Sequence, residues 1–170
     1  MKKISVIICS LIFLFTMTSC VSQDKMNPMI FVGRLKDNFP EISVSEIYRE
    51  DNGYFCFLTD ENNINFALRF YTDHSENIKK ICLACNIADK TDSIKFISEA
   101  LITTYASDEN TDDVVKNLFI NERDYYNTQW YRYASVIIEG KSFFSVENMK
   151  ISTASDAQLT LKPNDITFRE

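Results

Sequence analysis

Apolar side chains recur every three to four positions from Pro28 to Phe39, then every second position in several stretches that follow. The first spacing predicts a helix over Pro28 to Asn38, with Asn27 as N-cap and Pro28 at the first helical position. Phe31, Leu35 and Phe39 then stack on one face, and Pro40 ends the helix. Three strand patterns come next. "EIYREDNGYFCFLT" carries a kink or turn at Asp51 to Gly53, "INFALRFYT" alternates cleanly, and "IKKICLACNIA" alternates in its second half. Asp60 to Asn63 and Asp73 to Asn77 supply the turns between them, so an antiparallel meander is the economical arrangement.

The spacing of three to four returns at Thr91 or Asp92, with Ile94, Ile97, Leu101 and Tyr105 on one face. A second helix opens at Asn110 or Thr111, where Asp112 and Asp113 suit the positive end of its dipole, and it buries Val114, Val115, Leu118 and Phe119. From Trp130 the period falls to two again, and the chain reads as a hairpin turning at Glu139 to Lys141, its register open between two- and three-residue loops. The tail, with Pro163 and Asp165, is a short strand or extended end. The order α-βββ-αα-ββ favours an α+β fold, a two-layer sandwich of antiparallel sheet and helices, over a doubly wound parallel sheet.

The N-terminus follows a different logic. Lys2 and Lys3 precede an apolar run from Ile4 to Phe15, and Thr16, Thr18 and Ser19 precede Cys20. The run is short of the roughly 20 residues a bilayer span requires, so it reads as a secretory signal. The junction "MTSC" resembles the lipobox of bacterial lipoproteins, with Met17 standing at the position where Leu is usual. That resemblance implies a diacylglycerol thioether on Cys20, cleavage just before it, and a mature chain anchored in the cell envelope of a bacterium. A plain secretory signal with an incidental Cys20, or an uncut N-terminal anchor, is the alternative. The expected organisation is a signal at residues 1–19, a short polar tether at 20–26, and one α+β domain at 27–170.

Charge narrows the partners. Losing Met1 to Ser19 removes Lys2 and Lys3 and no acid, which leaves 16 basic against 24 acidic side chains, a net charge of −8. That balance argues against nucleic acid and against electrostatic docking on anionic lipid, so the expected membrane contact is the lipid itself. Glycine and proline number three each, which disfavours long linkers and disorder.

Candidate chemistry is sparse. Beyond Cys9 and Cys20, three cysteines remain, and "CLAC" at Cys82 to Cys85 has the spacing of thiol oxidoreductases and zinc half-sites. In a strand those two positions point to opposite faces. If the meander pairs Thr59 with Ile64 and Tyr71 with Ile78, Cys56 and Cys82 share a face two strands apart, beyond disulfide reach. All three thiols are then free. His74 is the sole histidine, in an exposed turn, and no phosphate-binding or nucleophile-elbow motif occurs. No cofactor or metal is expected. The acidic stretch "SDENTDD" lacks the register of a calcium loop and reads as a helix-capping segment.

"DYYNTQWYRY" is the richest surface candidate, because Tyr125, Tyr126, Trp130, Tyr131 and Tyr133 offer rigid contact area with polar handles. In a strand Trp130 and Arg132 lie on one face and Tyr131 and Tyr133 on the other, so one set belongs to the core. The functional expectation is a non-enzymatic envelope domain binding a protein, peptide or glycan. The alternatives are a thiol-dependent enzyme using Cys82 and Cys85, or an inhibitor or immunity-type protein against a basic partner.

Overall fold

The computed structural model describes residues 26–86 and 91–148. The signal, Cys20, nearly all of the tether and the tail with Pro163 and Asp165 lie outside them. Met26, the last residue of the expected tether, belongs to the packed domain: its carbonyl accepts from Ile78 N at 2.9 Å and its side chain is buried.

Helix α1 spans Pro28–Asn38. It starts where expected because Asn27 Oδ1 accepts from Ile30 N at 2.9 Å, satisfying one of the amides that a helix start leaves unpaired. Short strands β1 (Ser43–Val44) and β2 (Tyr48–Glu50) follow, then β3 (Gly53–Thr59), β4 (Asn65–Thr72) and β5 (Ile78–Cys85). Helix α2 spans Thr91–Tyr105 and α3 spans Thr111–Val115, which continues into a π-helical turn at Lys116–Ile120. Strands β6 (Tyr125–Asn127), β7 (Tyr131–Ile138) and β8 (Lys141–Asn148) complete the described chain. The protein is α+β, with one eight-stranded antiparallel sheet in the order β1-β3-β4-β5-β8-β7-β6 and β2 also on β3. Strands β1, β2 and β6 are additions to the five that the pattern predicts.

The predicted kink at Asp51 to Gly53 is the turn between β2 and β3. Gly53 has φ +150°, and a Cβ there would stand 1.8 Å from the Phe70 carbonyl oxygen, so the approach of β3 to β4 requires glycine. The two meander turns share one construction. Asp60 Oδ1 accepts from Asn62 N at 3.0 Å and Ile64 N at 2.8 Å; Asp73 Oδ1 accepts from Ser75 N and Asn77 N, both at 2.9 Å. In each, the fourth residue, Asn63 or Glu76, takes a positive φ. The hairpin between β7 and β8 resolves to a two-residue loop: Ile138 pairs with Lys141, and Glu139 and Gly140 both have positive φ, as a type I′ turn requires.

Register corrects one expectation. Thr59 pairs with Asn65 rather than Ile64, and an irregularity between Tyr71 and Thr72 shifts β5 again. Cys56 consequently lies opposite Leu68, and Cys82 lies between Arg69 and Ser145. The two thiols are on opposite faces, not the same one, because the Asp60 turn reaches one residue further than a tight loop.

The face carrying Cys56, Leu68, Leu83 and Phe144 is the core face, and all three helical segments meet it. Phe31 of α1 packs edge-on against Phe70 at 5.4 Å between ring centroids, Tyr105 of α2 against Tyr131 at 5.5 Å, and Phe119 of the π-turn near Phe144 at 5.9 Å. The opposite face carries a polar row, with Lys80 Nζ 2.7 Å from Glu147 and Arg69 2.8 Å from Glu50.

Candidate binding surface

The predicted aromatic cluster divides along strand alternation. Tyr131 and Tyr133 are 6% and 0% exposed and belong to the core, so they leave the candidate surface. Tyr125 and Trp130 are 55% and 43% exposed, and Tyr126 is half-buried. Arg132 does not share the environment of Trp130: it is buried, with Glu147 at 3.7 Å, whereas Trp130 stands in the bend before β7. What remains is an exposed hairpin whose root is buried. Tyr125 pairs with Ala134 and Tyr126 with Tyr133, so the strand that shows Tyr125 to solvent turns its neighbour toward the helices.

That hairpin is clipped to the acidic segment that leads into α3 and to the first turn of α3 itself. Thr128 Oγ1 donates to Glu109 Oε1 at 2.6 Å, and the same oxygen accepts from Tyr131 N at 3.1 Å and Trp130 N at 3.4 Å. Tyr126 donates its hydroxyl proton to Asp113 Oδ2 at 2.9 Å. That bond, then desolvation and the charges of Asp113 and Glu109, raises the Tyr126 pKa against an opposing pull from Arg123. Asn110 caps α3 as expected, accepting from Asp113 N. Asn117 Nδ2 donates to the Asp113 carbonyl at 2.8 Å, just where the helix widens into its π-turn. Thr128 and Glu109 carry no motif that would single them out in sequence; they meet because the segment between α2 and α3 lies against the turn between β6 and β7.

A second concave region lies at the other corner of the same sheet end, between the β2–β3 and β4–β5 turns. It is a cleft of about 590 Å³ lined by Arg49, Asp51, Tyr54, Tyr71, His74 and Lys79 among others. Arg49 pairs with Glu76 at 3.2 Å and lies 5.9 Å from the Tyr54 ring centroid. A hydrogen bond to Glu76 is the largest of the influences that raise the Tyr54 pKa. His74, the expected exposed turn histidine, lines this cleft, and no cysteine is among the cleft's lining residues.

The thiols occupy separate places. Cys85 faces the core with Ile81 and Leu83, while Cys82 faces away from it, as strand alternation predicts. All three are buried, and none forms a disulfide among the described residues. Burial pushes the Cys56 and Cys82 thiols up to about 12, so neither carries appreciable thiolate near neutral pH. Among the described residues no three His, Cys, Asp or Glu side chains gather into a metal set, and no helix is long and apolar enough to cross a membrane.

In comparisons with known proteins, no family model, curated protein or solved structure matches this chain.

Proposed function

We propose that the protein is a cell-envelope lipoprotein, held at a bacterial membrane by lipid on Cys20, whose domain is a non-enzymatic binding module for a protein, peptide or glycan. Its architecture, on this view, is a two-layer sandwich, supported by Phe31, Tyr105 and Phe119 all meeting one sheet face. The observation that carries the binding function is the exposed pair Tyr125 and Trp130 on a hairpin fixed by Thr128 and Tyr126. An exposed aromatic costs little entropy to dock when its backbone is already held.

The test combines location and capture. Cys20→Ser should release the protein from membranes and abolish lipid labelling. Replacing Tyr125 and Trp130 with alanine, with unchanged thermal unfolding, should abolish capture of the native partner; undiminished capture would sink the site assignment.

The thiol-enzyme alternative has less support, because Cys82 and Cys85 face opposite sides of β5. Cys56, Cys82 and Cys85 should resist thiol reagents at pH 8 in the folded protein and react once it is unfolded. Rapid native labelling of Cys82, or a reversible link to Cys85, would revive that alternative.

A further inference from the structure

Trp130 is tied beside a group of carboxylates that have no cationic partner among the described residues. One hydroxyl, Thr128 Oγ1, meets both Trp130 N at 3.4 Å and Glu109 Oε1 at 2.6 Å. Two residues before Thr128, Tyr126 holds Asp113 at 2.9 Å, and Asp108 and Asp112 stand exposed in the same segment. Among the described residues, no lysine or arginine lies within ion-pair distance of Asp108, Glu109, Asp112 or Asp113. The polar network is also unfinished underneath. Tyr133, fully buried, has no hydrogen-bond partner for its hydroxyl among the described residues, and after desolvation the charges of Glu109, Tyr131 and Asp108 raise its pKa further.

We propose that the Trp130 hairpin and this acidic segment together form a docking surface for a cationic segment of a protein partner. A lysine or arginine of that segment lies over the Trp130 ring, where the π-face attracts cations, and its neighbours meet Glu109, Asp112 and Asp113. This rests on the binding-module reading and gives its partner a chemistry. Charge selects the occupant. A second copy of the chain would bring the same carboxylates across a twofold contact and be repelled. A neutral glycan would stack on the ring but leave the carboxylates uncompensated.

The chain contains a single tryptophan, so its emission reports on this surface alone. Decalysine, titrated into the full chain in neutral detergent at low salt, should change Trp130 emission saturably, and high salt should reverse the change. Combining Glu109→Gln, Asp112→Asn and Asp113→Asn should weaken binding about tenfold. An equal loss of charge elsewhere, by Asp37→Asn, Asp51→Asn and Glu61→Gln, should leave binding nearly unchanged. Trp130→Ala, followed with dye-labelled decalysine, should also lose about tenfold, and this variant decides if the triple variant does not fold. No emission change at millimolar decalysine, equal weakening by both triple variants, or an equal response to decaglutamate would overturn the proposal. A native partner still captured through Trp130 by a protein that ignores decalysine would overturn the cationic assignment and leave the binding module standing.

Discussion

Two corners of the same sheet end carry aromatic rings among acidic side chains, and they differ in how those acids are satisfied. At the cleft, Glu76 has Arg49 and Glu50 has Arg69, and the Asp73 carboxylate is consumed by backbone amides of its own turn. At the hairpin, the partners of Glu109 and Asp113 among the described residues are neutral groups, the hydroxyls of Thr128 and Tyr126 and the side-chain amide of Asn117, while Trp130 is exposed. The cleft is concave and several of its charges are paired, whereas the carboxylates at the hairpin have no cationic partner among the described residues. Concavity alone is therefore a weaker guide here than unspent electrostatics on a rigid support.

The division inside the hairpin gives the largest effect. Tyr133→Ala should destabilise the domain by about 3–5 kcal/mol by opening a core cavity, whereas Trp130→Ala should change stability by less than about 0.5 kcal/mol, as exposed positions do. Denaturant unfolding of both variants measures the gap. Similar losses would mean that Trp130 is a core residue in solution and that the surface is misassigned.

The paired meander turns sharpen the contrast between buried and exposed carboxylates. Burial alone would raise the Asp60 pKa, but hydrogen bonds from Ile64 N, the Ser93 side chain and Asn62 together hold it below the usual carboxylate range. A folded pKa below the unfolded value of about 3.9 means that its contribution is complete above about pH 4 and is lost as pH falls through the folded pKa. Asp60→Ala should cost about 2 kcal/mol at neutral pH, since two amides lose their acceptor, and the deficit relative to the native protein should shrink in acid. Equal deficits at pH 7 and pH 2 would show that the carboxylate charge is not what stabilises the turn. At the cleft the effect should be smallest: Glu76→Gln breaks an exposed ion pair and should cost less than about 1 kcal/mol.

Sequence made the long elements legible for definite reasons. Asn27 and Pro28 mark the α1 start, Asp60 and Asp73 mark the meander turns, and eight alternating residues suffice to orient β4. Strands β1, β2 and β6 span two or three residues, too few to display a period, and they exist because β3 and β7 present edges for them. Five π-helical residues differ too little from α-helical spacing to be read in advance. Alternation alone placed Tyr131 and Tyr133 on a shared face, but which face is core depended on β8 and on α2, where Tyr105 meets Tyr131. The clip between Thr128 and Glu109 joins residues 19 apart in sequence, and no local pattern encodes it.

The comparison between the two corners is tested most directly by placing a photo-crosslinking amino acid at Trp130 or at Tyr71 in the full chain and illuminating intact cells. The expected result is one discrete protein adduct from position 130, lost when Glu109, Asp112 and Asp113 are neutralised, and none from position 71. An adduct from position 71 with none from position 130 would assign recognition to the cleft and contradict the account.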